Sequence, residues 1–243
     1  MELQDFRAYQ PGDDVRQVDW NAAARTDQLF VRVRREEVSP VVEGVLDASA
    51  SMALTPAKAA RTRELAWTCC RIARSQGLEP VLVVADDTPR RVRPPSVEAI
   101  AAIGLDSRST LPELLGRGLP MRRSGLRVVV SDLLLDTAPD PLVTRLSRDT
   151  SLLVLLQPLD ASELDPPEGS FVELVDIESG ERLERPISPA VVEEYRARLR
   201  THLTAIETAA RRARGNWATI AAGRPLEASF RESLLGNGFE ARP

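Results

Sequence analysis

Basic charge is in short supply in this 243-residue chain, where 32 Lys and Arg stand against 36 Asp and Glu, a net charge of −4 with a pI near 5.3. That deficit argues against a general nucleic-acid binder, which needs a dominant basic footprint, and against an anionic membrane surface as partner. Lys58 is the only lysine, so all the other basic residues are arginine. Aromatic residues are scarce too, three Trp, two Tyr and five Phe, leaving few stacking platforms for RNA. The longest apolar runs, such as residues 152–156, fall far short of the roughly 20 residues a membrane-spanning helix needs. Met1-Glu2-Leu3 lacks the basic and apolar regions of a signal peptide, so a cytoplasmic location is expected. The two cysteines, Cys69 and Cys70, are adjacent in an apolar helical stretch. A bond between them would be strained and no second pair completes a Zn site, so buried reduced thiols are expected. No Gly-x-Ser-x-Gly elbow occurs, and His202, the only histidine, falls near the apolar stripe of a helix, so a Ser-His-Asp hydrolase is not implied. Gly and Pro, at 13 and 18, are close to average and exclude collagen-like or low-complexity chains.

What is present is an alternation of β-rich runs with amphipathic helical patterns, the signal of βαβ units and a parallel sheet. Strands are predicted at residues 41–46, 80–85, 126–131, 151–157 and 217–221, with the two middle runs of that series, 126–131 and 151–157, buried on both faces. A charged edge strand is predicted at 90–93, after the turn Asp86-Asp87-Thr88-Pro89. The first crossover helix starts at Thr55-Pro56 and stops at Gly77. Further helices are predicted at 97–103, 110–119 and 225–235, and one beginning near Asp140-Pro141. The longest runs from Ser188-Pro189 to Gly215 with Val191, Tyr195, Leu199, Ile206 and Ala210 inward. A hairpin is inserted near 171–184. The fold class is thus α/β, a doubly wound, mostly parallel sheet flanked by helices. Residues 1–40 form an N-terminal extension and 41–243 the main domain.

In a doubly wound sheet, ligands bind past the carboxyl ends of strands where the winding reverses. Just past the first predicted strand of the main domain stand Asp47, Ser49 and Ser51, a carboxylate and two hydroxyls separated by alanines. Oxygen-only ligation suits a hard cation, Mg²⁺ first, with Mn²⁺ or Ca²⁺ as alternatives. If the strand ending at Asp132 lies beside the one ending at Asp47, the two carboxylates meet in one crevice, and the helix start at Thr110 brings a further hydroxyl. An open coordination position would then suit a partner's Asp or Glu, making the metal a bridge between proteins. The plainer reading of Asp47, Ser49 and Ser51 is an Asx-type cap on the next helix, and of Asp132 alone a helix cap.

Asp47-x-Ser49-x-Ser51, Thr110 and Asp132 resemble the metal-ion-dependent adhesion site of von Willebrand factor A domains. In that family the first three residues and the Thr line the ion and the second Asp usually acts through water. The family often has Gly-Gly before this Thr, where Arg108-Ser109 stand here. Phe6 through Asn21, including Pro11-Gly12-Asp13-Asp14, Arg16, Asp19 and Trp20, followed by Ala24-Arg25-Thr26-Asp27, resembles the signature of the bacterial domain of unknown function 58 family. That resemblance spans the chain and implies a von Willebrand A-like domain associated with AAA+ ATPases of the MoxR type. It also implies a role in assembly or maturation of protein complexes. The signature residues themselves, ordinary turn and core types, are expected to serve folding.

The expected function is therefore a Mg²⁺-dependent protein-binding adaptor without catalytic residues. The rival is a Mg²⁺-dependent phosphoryl-transfer enzyme of the haloacid dehalogenase-like type, which also uses an Asp at the end of a first parallel strand. Such enzymes carry a second Asp where Ser49 stands and a Lys near the phosphoryl group, and Lys58 is expected to lie on the wrong helix for that role.

Overall fold

Four runs rich in Val, Leu and Ala form the parallel centre of a six-stranded sheet. The computed structural model describes residues 5–9, 28–33, 41–166, 169–175 and 182–236. It comprises two compact units, Met1–Ser39 and Pro40–Pro243. In the first, β1 (Asp5–Ala8) pairs antiparallel with β2 (Phe30–Val33), and the Tyr9 amide donates to the Leu29 carbonyl. Pro11, Gly12, Asp13, Asp14, Arg16, Asp19 and Trp20 lie outside the described residues.

The second unit runs β3 (Val42–Asp47), α1 (Pro56–Ser75), β4 (Pro80–Ala85), β5 (Arg90–Val92), α2 (Val97–Ala101), α3 (Leu111–Arg117), β6 (Ser124–Val130) and α4 (Asp140–Leu146). It continues with β7 (Thr150–Leu159), α5 (Ala161–Leu164), β8 (Gly169–Val175), β9 (Arg182–Ile187), α6 (Pro189–Arg212), β10 (Asn216–Ala221) and α7 (Leu226–Gly236). The sheet order is β5-β4-β3-β6-β7-β10, parallel throughout except for β5, which pairs antiparallel with β4. Winding proceeds outward from β3 in one direction and from β6 in the other, so the switch point lies between these two strands. This α/β arrangement is the one expected and is consistent with a von Willebrand A-like fold.

Side chains alternate between the two faces of each strand and divide the core accordingly. Val45, Val83, Val129 and Leu155 pack against Leu114 of α3, Leu146 of α4 and Ile206 of α6. Their sequence neighbours Leu46, Val84, Val130 and Leu156 face the other way, onto Leu65 and Cys70 of α1 and Ile100 of α2. The start of β7 departs from the expected two-sided burial, because Ser151 and Leu152 extend beyond the helix layers into solvent. On α6 the inward residue of the first turn is Val192, fully buried, whereas Val191 is 48% exposed. The expected stripe was therefore displaced by one residue there, since Val192, not Val191, sits seven residues before Leu199.

Helix ends follow local chemistry. The Thr55 hydroxyl accepts from the Lys58 amide at the start of α1, and Gly77, at φ 73°, takes the left-handed conformation just beyond its end. The two cysteines on α1 are unbonded, and burial pushes the Cys69 thiol up to about 12 and the Cys70 thiol up to about 11, leaving both protonated and inert. β8 and β9 pair antiparallel, Leu174 opposite Leu183, where the hairpin was expected.

Candidate functional site

Asp47 is the last residue of β3, and Ser131-Asp132 follow β6 directly, so adjacent parallel strands deliver two carboxylates to the same end of the sheet. They are 3% and 5% exposed. Asp47 is fixed through both oxygens: Oδ1 accepts from the Ser49 amide at 3.0 Å, and Oδ2 from the Ser131 hydroxyl at 2.6 Å. The Ser49 and Ser51 hydroxyls lie 3.0 Å apart. Neither acts as the cap of α1, which belongs to Thr55, and Ser49, preceding the short 3₁₀ turn Ala50–Ala53, makes no side-chain capping bond. The plainer reading thus holds for Asp47, whose bond from the Ser49 amide is of the Asx type, and not for Ser49 as a helix cap.

Thr110 arrives from the other side as the N-cap of α3, in a capping box with Glu113. Its loop is tied to the Asp47 loop by backbone bonds, Ala50 amide to Ser107 carbonyl and Ser107 amide to Ala48 carbonyl, each 3.0 Å. The loop is also tied to Asp87, just beyond β4. Asp87 Oδ1 accepts from the hydroxyls of Ser107 (3.0 Å) and Ser109 (2.7 Å) and from the Ser109 amide (3.1 Å). These bonds, the Ser109 hydroxyl's first, hold the Asp87 carboxyl below its usual range. Arg108 and Ser109 thus serve as the attachment of the Thr110 loop to the β4 turn.

Asp47, Ser49, Ser51, Thr110 and Asp132 all line one cavity of about 320 Å³. Its lining includes two further acids, Glu113 and Asp136, and no basic side chain. Burial, with the Asp132 charge as second cause, pushes the Asp47 carboxyl up from 3.8 to about 6. Asp132 is offset from behind: Lys58, fully buried on α1, places Nζ 2.9 Å from Asp132 Oδ2 and 2.6 Å from Glu163 Oε1. Lys58 lies on α1 as expected and outside the cavity lining, but its ammonium reaches the Asp132 carboxylate from the protein interior. Burial raises Glu163 despite the neighbouring Lys58 charge. Glu163 in turn closes a capping box with Asp160 on α5, and Asp160 accepts from the Thr55 hydroxyl at 2.7 Å.

The loop after Asp132 is strained. Leu133 adopts φ 50°, a left-handed conformation that costs a residue with a Cβ about 1–2 kcal/mol. It is held there from both sides: its amide donates to the Ser131 hydroxyl at 3.2 Å, and its carbonyl accepts from His202 Nε2 at 2.6 Å. His202, half-buried on α6, is thus a satisfied structural histidine that fixes the crevice wall.

Sequence reasoning missed Ser131, Lys58 and Glu163 as members of this site, and read Asp87 as a turn residue kept near the crevice by its place at a strand end. A serine preceding the strand-end aspartate and a lone lysine in an otherwise arginine-only chain were the available signals for the first two. Nothing local marks Glu163, which lies more than a hundred residues from its partner Lys58.

A doubly wound α/β domain with an acidic, hydroxyl-lined crevice at its switch point is the class the fold and geometry define. The chain belongs to the family described as protein of unknown function DUF58, whose model matches residues 5–205. Its fold is similar to a conserved hypothetical protein BatB from Bacteroides thetaiotaomicron, at 9% identity and a TM-score of 0.43. It is likewise similar to an aerotolerance-related membrane protein from Bacteroides fragilis, at 12% identity and a TM-score of 0.42. Each likeness covers 83% of this chain and 100% of the other. No curated protein matches the chain. Among the described residues, no helix is long and apolar enough to cross a membrane.

Proposed function

We propose that the chain is a Mg²⁺-dependent protein-binding adaptor whose crevice presents the ion to an acidic side chain of a partner. The observation that carries this reading is the charge of the cavity lining, four carboxylates including the buried Asp47 and no basic side chain, with the paired Ser49 and Ser51 hydroxyls beside them. An acidic partner is repelled by such a lining; a cation is drawn in. Among the described residues no three His, Cys, Asp or Glu side chains form a metal cluster. A donor set of two carboxylates and hydroxyls suits a hard ion that keeps waters, Mg²⁺, with Mn²⁺ or Ca²⁺ as substitutes. Asp47, Ser49, Ser51 and Thr110 would hold it, and Asp132, already paired to Lys58, would act through water. Bound there, Mg²⁺ supplies the positive charge that lets a partner's carboxylate approach. The family resemblance points to a MoxR-type AAA+ ATPase or its client as that partner, in assembly or maturation of protein complexes.

A pull-down from native lysate with Mg²⁺, with EDTA, and with Asp47→Ala, read by mass spectrometry, tests this. The expected outcome is a partner retained only with Mg²⁺ and intact Asp47. A partner indifferent to both contradicts the mechanism. Asp87 is a positioning residue in this account, so Asp87→Ala should weaken the Mg²⁺ response about tenfold, as loss of an outer-shell contact typically does. Its unfolding midpoint should fall by only a few degrees, because Asp87 is itself exposed although it accepts from the buried Ser107 and Ser109 hydroxyls.

One observation favours the second reading, a haloacid dehalogenase-like phosphoryl-transfer enzyme: Lys58 reaches Asp132 after all. Against it, Ser49 stands where a second Asp belongs, so the position expected to do general acid-base work holds a hydroxyl. Mg²⁺-dependent hydrolysis of a generic aryl phosphate, lost in Asp47→Asn, would establish it; no turnover is expected.

A further inference from the structure

At the opposite end of the sheet, where β6 and β7 begin, a second cavity of about 260 Å³ is walled by arginine. Five of its lining residues are Arg122, Arg123, Arg127, Arg145 and Arg148, with Asp149 the only acid. Arg127 forms its floor. This side chain is 1% exposed, its Nε donates to Glu43 Oε2 at 2.9 Å, and its Nη1 donates to the carbonyls of Leu146 (2.6 Å) and Arg148 (2.7 Å). Its Nη2 donates to the Arg122 carbonyl at 2.7 Å. One buried guanidinium therefore pins both rims, the segment carrying Arg122 and Arg123 and the turn carrying Arg148. Arg145 is tied separately, to the Leu115 carbonyl at 2.6 Å.

The buried acid beneath is saturated. Glu43 faces Arg127, accepts from the Arg122 amide at 2.9 Å and lies 3.7 Å from Arg91. Among the described residues the guanidinium groups of Arg122, Arg123 and Arg148 have no carboxylate or hydrogen-bond partner. Elsewhere on this acidic chain the exposed arginines Arg198, Arg211 and Arg231 are each paired to an acid, and among the described residues unpaired ones such as Arg71 and Arg200 stand apart from this pocket. Three guanidinium groups without a partner, on exposed residues whose backbone is pinned by Arg127, line one small mouth and offer more donors than a carboxylate has oxygens. They match an anion with several oxygens and at least two charges, the geometry arginine binds bidentately.

We propose that this pocket binds the diphosphate group of a soluble molecule, independently of the crevice at the other end of the sheet. The cavity is too small for a folded segment, and its rims are held by buried bonds before any ligand arrives, so little ordering opposes binding.

The test is calorimetric titration of the full chain, free of divalent ions, with inorganic diphosphate and, at matched ionic strength, inorganic phosphate. Saturable binding of diphosphate, tighter than phosphate, is expected. Removing each charge-assisted contact weakens affinity by about tenfold, so Arg123→Ala/Arg148→Ala should lose about a hundredfold. The charge-matched control Arg211→Ala/Arg231→Ala should bind as the parent does. Equal weakening in both double variants would mean unspecific charge attraction and would overturn the proposal. So would absence of diphosphate binding, including the case where the chain instead binds a polyglutamate peptide or phosphatidylglycerol vesicles through these arginines.

Discussion

Arg127→Met is expected to destabilise the protein by about 3–5 kcal/mol, the cost of leaving a buried charge without its partner. Glu43 and Arg127 are direct cross-strand neighbours in the β3–β6 ladder, both essentially inaccessible to solvent. Removing the guanidinium leaves the Glu43 carboxylate in a protein interior with Arg91 at 3.7 Å as its nearest remaining cation. It also frees the carbonyls of Arg122, Leu146 and Arg148 from their donors. Thermal unfolding should show a midpoint about 10 °C lower. Adding Glu43→Leu should return part of that loss, because an apolar pair of similar volume has no desolvation penalty. A loss below about 1 kcal/mol for Arg127→Met would show the pair to be hydrated.

Lys58→Met is expected to have an effect of similar size, about 3–5 kcal/mol at pH 7, for the same reason with two carboxylates in place of one. Asp132 and Glu163 both depend on the Lys58 ammonium, at 2.9 and 2.6 Å. The pH dependence has a definite sign. Burial already raises Glu163 in the parent with Lys58 opposing it. Without the lysine the folded state holds a proton on that carboxyl more tightly than the unfolded state does. The variant's stability therefore falls as pH rises through the carboxyl range and recovers on acidification. The measurement is urea unfolding at pH 7 and pH 5, with the deficit relative to the parent smaller at pH 5. A pH-independent deficit would assign the loss to packing alone. Mg²⁺ should stabilise the variant more than the parent, since the ion replaces a missing positive charge.

The parallel sheet is legible in the sequence because its strands are apolar on both faces and its helices carry caps and stops, Thr55-Pro56 and Gly77 among them. The same habit of reading hides the charges inside those strands. Glu43 and Arg127 interrupt apolar runs at a register that only the tertiary pairing reveals. Asp47, Ser49, Ser51 and Asp132 stand out because polar residues just past strand ends have few structural duties. Lys58 does not, because a lysine on an amphipathic helix reads as solvent-facing until the sheet beneath it is known. The β1–β2 ribbon and the one-turn α5 escape notice because four residues hold too little periodicity to register.

The measurement that bears most directly on the metal-bridged reading is Mg²⁺-dependent thermal stability of the parent and of Asp47→Asn. Asparagine keeps an oxygen to accept from the Ser49 amide and, in place of the bond Asp47 accepts from the Ser131 hydroxyl, an NH2 that donates to that oxygen, while removing the charge. In the metal-free parent the raised Asp47 carboxyl works against folding: the penalty is absent below 3.8, grows as pH rises to about 6, and is complete above it. At pH 7 it amounts to on the order of 3 kcal/mol. Asp47→Asn should therefore be more stable than the parent in EDTA and indifferent to Mg²⁺, while the parent gains stability as Mg²⁺ is added. A parent that ignores Mg²⁺, or a variant that responds to it equally, would contradict a metal site at Asp47.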